Sequence, residues 1–156
     1  MRRATVLASG AIFVALGIAS ATFAQQAAQD ARAPILVSEP KKAFILKQMR
    51  LFVAAIQQIS DGLATNDKAK VAEAALSRGT NAIRAMPDKP AGLEEPMPSG
   101  FRTFGRATHQ GFDAIAAAAE GNKSTEEILA LLAATMKNCV ACHQTFRLVE
   151  GEAAAH

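Results

Sequence analysis

Cys139, Cys142 and His143 stand in the string Cys139-Val140-Ala141-Cys142-His143, close to the C-terminal end of a 156-residue chain. Two cysteines three apart, with histidine directly after the second, form the attachment motif of a c-type haem. On a helix, residues at i, i+3 and i+4 share one face. Both thiols then reach the two vinyl groups of one porphyrin through thioether bonds. The His143 imidazole approaches the iron from the same side as its proximal ligand. A Cys139–Cys142 disulfide is the competing chemistry, but it would close a loop too short to stabilise much.

The opposite end of the chain agrees with that chemistry. Met1-Arg2-Arg3 is a short basic region, Val6 to Ala19 is apolar apart from small residues, and Ala21-Thr22-Phe23-Ala24 offers a small-residue cleavage site. This is the layout of a secretory signal peptide. Its apolar part is shorter than the roughly 20 residues of a membrane span, so no anchor is expected after cleavage near Ala24. Haem attachment at such a motif takes place on an exported chain, and the expected location is the periplasm.

Charge excludes another class. Cleavage removes Arg2 and Arg3, which takes the 17 basic residues to 15 against 14 acidic ones, a net +1. The basic isoelectric point therefore belongs to the leader and makes no case for nucleic acid as a partner. Tryptophan and tyrosine are absent, so the haem would dominate near-ultraviolet and visible absorption.

Four helices must position the motif. The organisation expected is a signal peptide at 1–24, a flexible leader at 25–37, a helical domain at 38–150 and a tail at 151–156. Ser38 and Pro40 open the first helix. Ile45, Met49, Phe52, Ile56, Ile59 and Leu63 then recur at the spacing of a bundle stripe. A second helix runs from about Asn66-Asp67 to Pro87, with Ala72, Leu76, Gly79, Ile83 and Met86 on one face. Four prolines and Gly92 between Pro87 and Ser99 make a longer connection. The third helix carries Phe101, Phe104, Thr108, Phe112, Ile115 and Ala119. Ser124 and Glu127 form a capping box for the fourth, whose stripe is Ile128, Leu132, Thr135, Cys139, Cys142, Phe146 and Val149. No run of alternating β-branched residues predicts a strand. The fold class is thus all-α, an antiparallel four-helix bundle with one covalently attached haem in the core near the C-terminus.

A haem motif on the last helix of a bundle, and the string Cys139 to Arg147 (Cys-Val-Ala-Cys-His-Gln-Thr-Phe-Arg), resemble the cytochrome c′-like, class II c-type cytochromes. Cytochrome c′ is a known four-helix bundle. The resemblance implies that Arg147 lies near the iron-bound imidazole, which spacing on a continuous helix would also give. Arg147 would shape the proximal pocket or sit at the surface beside a haem propionate. Phe146 would pack on the porphyrin edge. Matching Lys47-Gln48 and Ile59-Ser60-Asp61-Gly62 to the family's pattern puts Leu46 at the distal position over the iron. Lys42, one turn earlier, replaces the arginine usual there and could pair with a propionate only as a point charge.

The sixth iron position decides the chemistry. Met136 shares a helix with His143 and cannot reach the opposite face. Met49, Met86, Met97 and His109 remain as ligand candidates, with Met49 first among them. Leu46 cannot ligate, so the resemblance implies a five-coordinate ferrous iron open to NO and CO. The expectation is a periplasmic monohaem cytochrome c that transfers electrons to a periplasmic redox partner protein. A six-coordinate Met/His carrier without gas binding is the alternative. No enzyme is expected, because a peroxidase would need a distal histidine or arginine that the first helix does not offer on its apolar stripe. Leu51 and Leu76, on the outer sides of the first two helices, are compatible with the homodimers common in that family.

Overall fold

The computed structural model describes residues 30–94 and 97–151; the signal segment, the first part of the leader and the tail beyond 151 lie outside the described residues. In chain order the elements are β1 (Ala33–Val37), α1 (Glu39–Ala64), α2 (Lys68–Leu76), α3 (Thr80–Arg84), α4 (Ser99–Glu120), α5 (Thr125–Thr145) and β2 (Phe146–Glu150). The described chain is mostly helical, and all packing below lies within the unit that starts at Ala31. No described helix is long and apolar enough to cross a membrane.

Local chemistry explains the helix ends. Ser38 is extended ahead of Glu39, and Pro40 sits in the first turn of α1, where its missing N–H is not needed. The turn after α1 uses Asn66 at φ 53°, and the Asp67 side chain then accepts the Lys70 N–H at 2.9 Å to cap α2. Ser124 and Glu127 form the expected capping box, each backbone N–H bonding the other's side chain at 2.9 and 3.2 Å.

The largest core closes one end of the helices. Ala55, Ile59 and Leu63 of α1 meet Val71, Ala72 and Ala75 of α2, Phe112 and Ile115 of α4, and Ile128 and Leu132 of α5. The small residues let backbones approach. At Gly62 a Cβ would lie 2.8 Å from the Val71 side chain, so only glycine allows this α1–α2 crossing. Close backbone approaches join α1 to α2, α2 to α4, and α4 to α5. At the other end a smaller core of Ile35, Val37, Ile45 and Met97 is flanked by Met49, Phe101, Phe146 and Leu148.

Three features depart from the sequence expectation. The flexible leader was expected to reach residue 37, yet 33–37 form β1, whose Ile35 and Val37 are buried. The fourth helix stops at Thr145 rather than near Val149; Phe146 is extended (φ −123°, ψ 151°) and begins β2. The two strands pair in parallel from Ala33↔Phe146 to Val37↔Glu150, with the helices as the crossover between them. Phe146 and Val149 suit a helix stripe as well as a strand. The partner strand, more than a hundred residues away, decides between them. Finally, the second helix breaks after Leu76. Asp113 of α4 accepts the Thr80 N–H at 3.2 Å and its hydroxyl at 2.7 Å, which starts α3 and leaves Leu76 exposed.

Phe112, fully buried where α1, α2, α4 and α5 meet, tests the core. Phe112→Ala should lower the unfolding free energy by about 3–5 kcal/mol. Urea unfolding checks this; a loss under ~1 kcal/mol would mean the site collapses without a cavity.

Candidate functional site

The last turns of α5 carry Cys142 buried and Cys139 half-buried, both as free thiols. Burial pushes both thiols up from the ordinary cysteine value, and Cys139 adds to the effect on Cys142. Reactive cysteines show the opposite shift, toward thiolate. This pair is therefore poorly suited to thiolate nucleophilic or disulfide-exchange chemistry. His143 follows on the exposed side, beside the buried Cys142.

Seven of the eight residues singled out from sequence line one cleft of about 250 Å³: Lys42, Leu46, Met49, Cys142, His143, Phe146 and Arg147. The eighth, Cys139, opens into an adjoining cleft of about 50 Å³ that shares Met49, Phe101, Cys142 and His143 with the first. Leu46 and Met49 come from α1, the thiols and His143 from α5, and Phe101 from α4. The N-terminal half of α1 thus faces α5 across an open trough.

Arg147 reaches this cleft by a route the sequence reading did not foresee. It is not one helical turn from His143, because α5 has ended; it projects from β2. Its Nε donates to the Arg32 carbonyl at 3.2 Å, and Arg32 Nη1 donates to the His143 carbonyl at 3.2 Å. The strand pair therefore holds both arginines against the histidine segment. Lys42 Nζ lies 3.5 Å from Glu150 Oε2, an exposed pair of small energetic weight. Phe146 packs edge-on against Phe101 and Phe104, with ring centroids 6.0 and 6.5 Å apart.

A third cavity, about 370 Å³, lies between α1 and α4 and is also bordered by Met49 and Phe101. Gly105 lines both it and the small cleft, and a Cβ there would meet nothing within 4 Å. Glycine inside a helix costs about 1 kcal/mol relative to alanine, so this opening is kept at the expense of helix stability. Two thiols, an adjacent imidazole and a largely apolar opening beside them fit a covalently held macrocycle. Bare metal is a poorer match, since no group of three His, Cys, Asp or Glu among the described residues could hold an ion.

The other ligand candidates are placed differently. Met97 is buried in the smaller core, Met86 follows α3 away from these lining residues, and Met136 is exposed on α5. His109 lines the third cavity but not the His143 cleft; its Nδ1 lies 2.7 Å from the Arg78 carbonyl and its ring packs on Phe52. Sequence reasoning missed Arg32, Phe101 and Leu148. Phe101 and Gly105 stand on successive turns of α4, a visible signal, whereas Arg32 and Leu148 depend on the strand pair. No family model matches the chain, and no curated protein or solved structure matches it either.

Burial holds His109 below the ordinary histidine value, with Arg78 opposing its charge and Asp113 and the Arg78 carbonyl favouring it. The unfolded chain then takes up a proton first as pH falls. Stability tied to neutral His109 is present above about pH 6.5 and lost as pH falls through the folded value. Urea midpoints at neutral and mildly acidic pH should therefore fall more for the parent than for His109→Gln. Equal slopes would reject the assignment.

Proposed function

We propose that the chain is an exported monohaem c-type cytochrome of the cytochrome c′-like class, an electron carrier whose iron also binds NO and CO. The observation that carries this reading is the convergence of Cys139, Cys142 and His143 on a trough whose opposite wall is Leu46 and Met49. The same proposal takes α1, α2, α4 and α5 as an antiparallel bundle. The clustering of the N-terminal halves of α1 and α4 with the C-terminal half of α5 around the trough supports it.

When bound, the haem would supply an iron that cycles between ferric and ferrous and accepts a sixth ligand. The protein's part is attachment and exclusion. Cys139 and Cys142 would anchor the macrocycle, and His143 would ligate the iron from α5. Leu46, Met49 and Phe101 offer aliphatic, thioether and aromatic surface and no hydrogen-bond donor, so they favour small uncharged ligands and leave bound dioxygen without stabilisation. Arg32, Lys42 and Arg147 stay at the rim. No histidine or arginine stands among the α1 residues that line the cleft, and their one charged member, Lys42, is at the rim, which favours a carrier over a peroxidase. Export to the periplasm, delivery of electrons to a periplasmic redox protein, and dimerisation through the exposed Leu51, Val53 and Leu76 belong to the same proposal.

Met49 supports a second reading, because it borders all three cavities. A rotation of its flexible thioether toward the iron would make a six-coordinate, low-spin carrier with no gas binding. Visible and paramagnetic-resonance spectra of the oxidised, reduced and CO-treated protein separate the two. High-spin iron that takes up CO readily supports the Leu46 face; a low-spin iron with a methionine charge-transfer band supports Met49.

Two variants probe the assignment directly. Cys142→Ser should lose most of the covalent haem on a denaturing haem-stained gel, and full retention would exclude normal attachment. Leu46→Met should convert five-coordinate iron to six-coordinate, low-spin iron. An unchanged spectrum in that variant would remove Leu46 from the distal position.

A further inference from the structure

We infer that the cavity between α1 and α4 receives the two propionates of the haem, bound there by Arg84, Arg102 and Arg106. This rests on the haem reading above and assigns a carboxylate site that the sequence reading placed elsewhere, at Lys42 and Arg147.

The macrocycle's vinyl groups, which take the two thiols, lie along one edge, and its propionates leave from the opposite edge. The thiols are on α5, beside the small cleft. The carboxylate end must therefore lie a macrocycle's width away from α5. Arg32, Lys42 and Arg147 share the cleft of Cys142 and His143, whereas neither thiol nor His143 lines the large cavity. The large cavity lies beyond Met49 and Phe101, and Gly105 leaves open space at the passage between the two.

The cavity has the right chemistry for an amphipathic dicarboxylate. Its α1 wall is Phe44, Ile45, Met49 and Phe52, with Gln48 as the polar exception, and carries no charge. The Gln48 amide oxygen already accepts from Arg78 at 3.1 Å. The opposite rim carries Arg84 from α3, and Arg102 and Arg106 one turn apart on α4. Lys89 and Glu94 from the intervening loop pair with each other at 3.1 Å, so the three arginines are in excess among the described lining residues. His109, the remaining titratable group, is held toward its neutral form by burial.

Arg102 is already oriented. One of its guanidinium nitrogens donates to the Met97 carbonyl at 2.8 Å, and five N–H donors leave a fork for a carboxylate. Lys41 and Lys47 of α1 tie the loop down over the cavity, through the Gly92 carbonyl at 2.6 Å and the Asp88 carboxylate at 2.5 Å.

The test uses the haem-loaded protein with the pair Arg102→Gln and Arg106→Gln, and separately the pair Lys42→Gln and Arg147→Gln. Arg102 and Arg106 are exposed and Lys42 and Arg147 half-buried, so circular dichroism of both variants must confirm that each is folded. A haem-stained denaturing gel comes first; absence of covalent haem from the unmodified chain would remove the haem reading and this inference with it. With haem present, the resonance Raman propionate-bending band should shift to lower frequency in the α4 pair and stay in place in the other. The reduction potential of the α4 pair should also fall, because unpaired carboxylates favour the ferric state. A propionate band that moves only in the Lys42 and Arg147 pair, or in neither, would overturn the inference while leaving the haem reading intact.

Discussion

The structure depends on closing the helices tightly at one end so that they can remain apart at the other. Gly62 against Val71, and alanines at 55, 72, 75, 116 and 119, let α1, α2 and α4 approach closely around Phe112 and Ile59. Fully burying one large aliphatic side chain contributes about 1.5–3 kcal/mol, so a cluster with several such residues can offset an under-packed region elsewhere. That region is the trough between α1 and α5, where Met49, Phe101 and Gly105 border open space.

The strand pair acts as a collar at the open end. A two-stranded sheet is marginal alone. Here it gains a core, because Ile35 and Val37 bury against Ile45 and Met97, and Leu148 and Phe146 pack beside them. The collar joins the segment just before α1 to the segment just after His143. It also brings the Arg32 side chain to the His143 carbonyl and the Arg147 side chain to the Arg32 carbonyl. The position of His143 is therefore set by α5 from one side and by β1 and β2 from the other.

How much of this was legible in the sequence depended on the range of the interaction. The capping box at Ser124 and the Pro40 start are local, and the sequence reading found both. The α1 stripe was equally legible, since its spacing follows from helix geometry alone. The break after Leu76 was not, because it is produced by Asp113 from another helix capturing Thr80. Nor was the end of α5 at Thr145, which reflects a strand partner more than a hundred residues away. Phe146 and Arg147 nevertheless line the same cleft as Cys142 and His143. The strand, not a continued helix, carries them there, because the residues directly after His143 have little chain with which to leave it.

Charge placement gives the site its remaining logic. The cavities are lined largely by apolar side chains and carry cations at their rims: Arg32, Lys42 and Arg147 in the cleft of Cys142 and His143, and Arg84, Arg102 and Arg106 around the cavity between α1 and α4. Cations buried inside would need partners to offset their desolvation; at the rim they remain hydrated and still act on any negative charge that enters. Burial pushes both thiols up from the ordinary cysteine value, toward the neutral form. An amphipathic anion with an apolar body therefore meets attraction at the rims and no competing charge within. That division of labour suits a planar carboxylate-bearing macrocycle better than a bare ion, which would require its ligands to converge on one point.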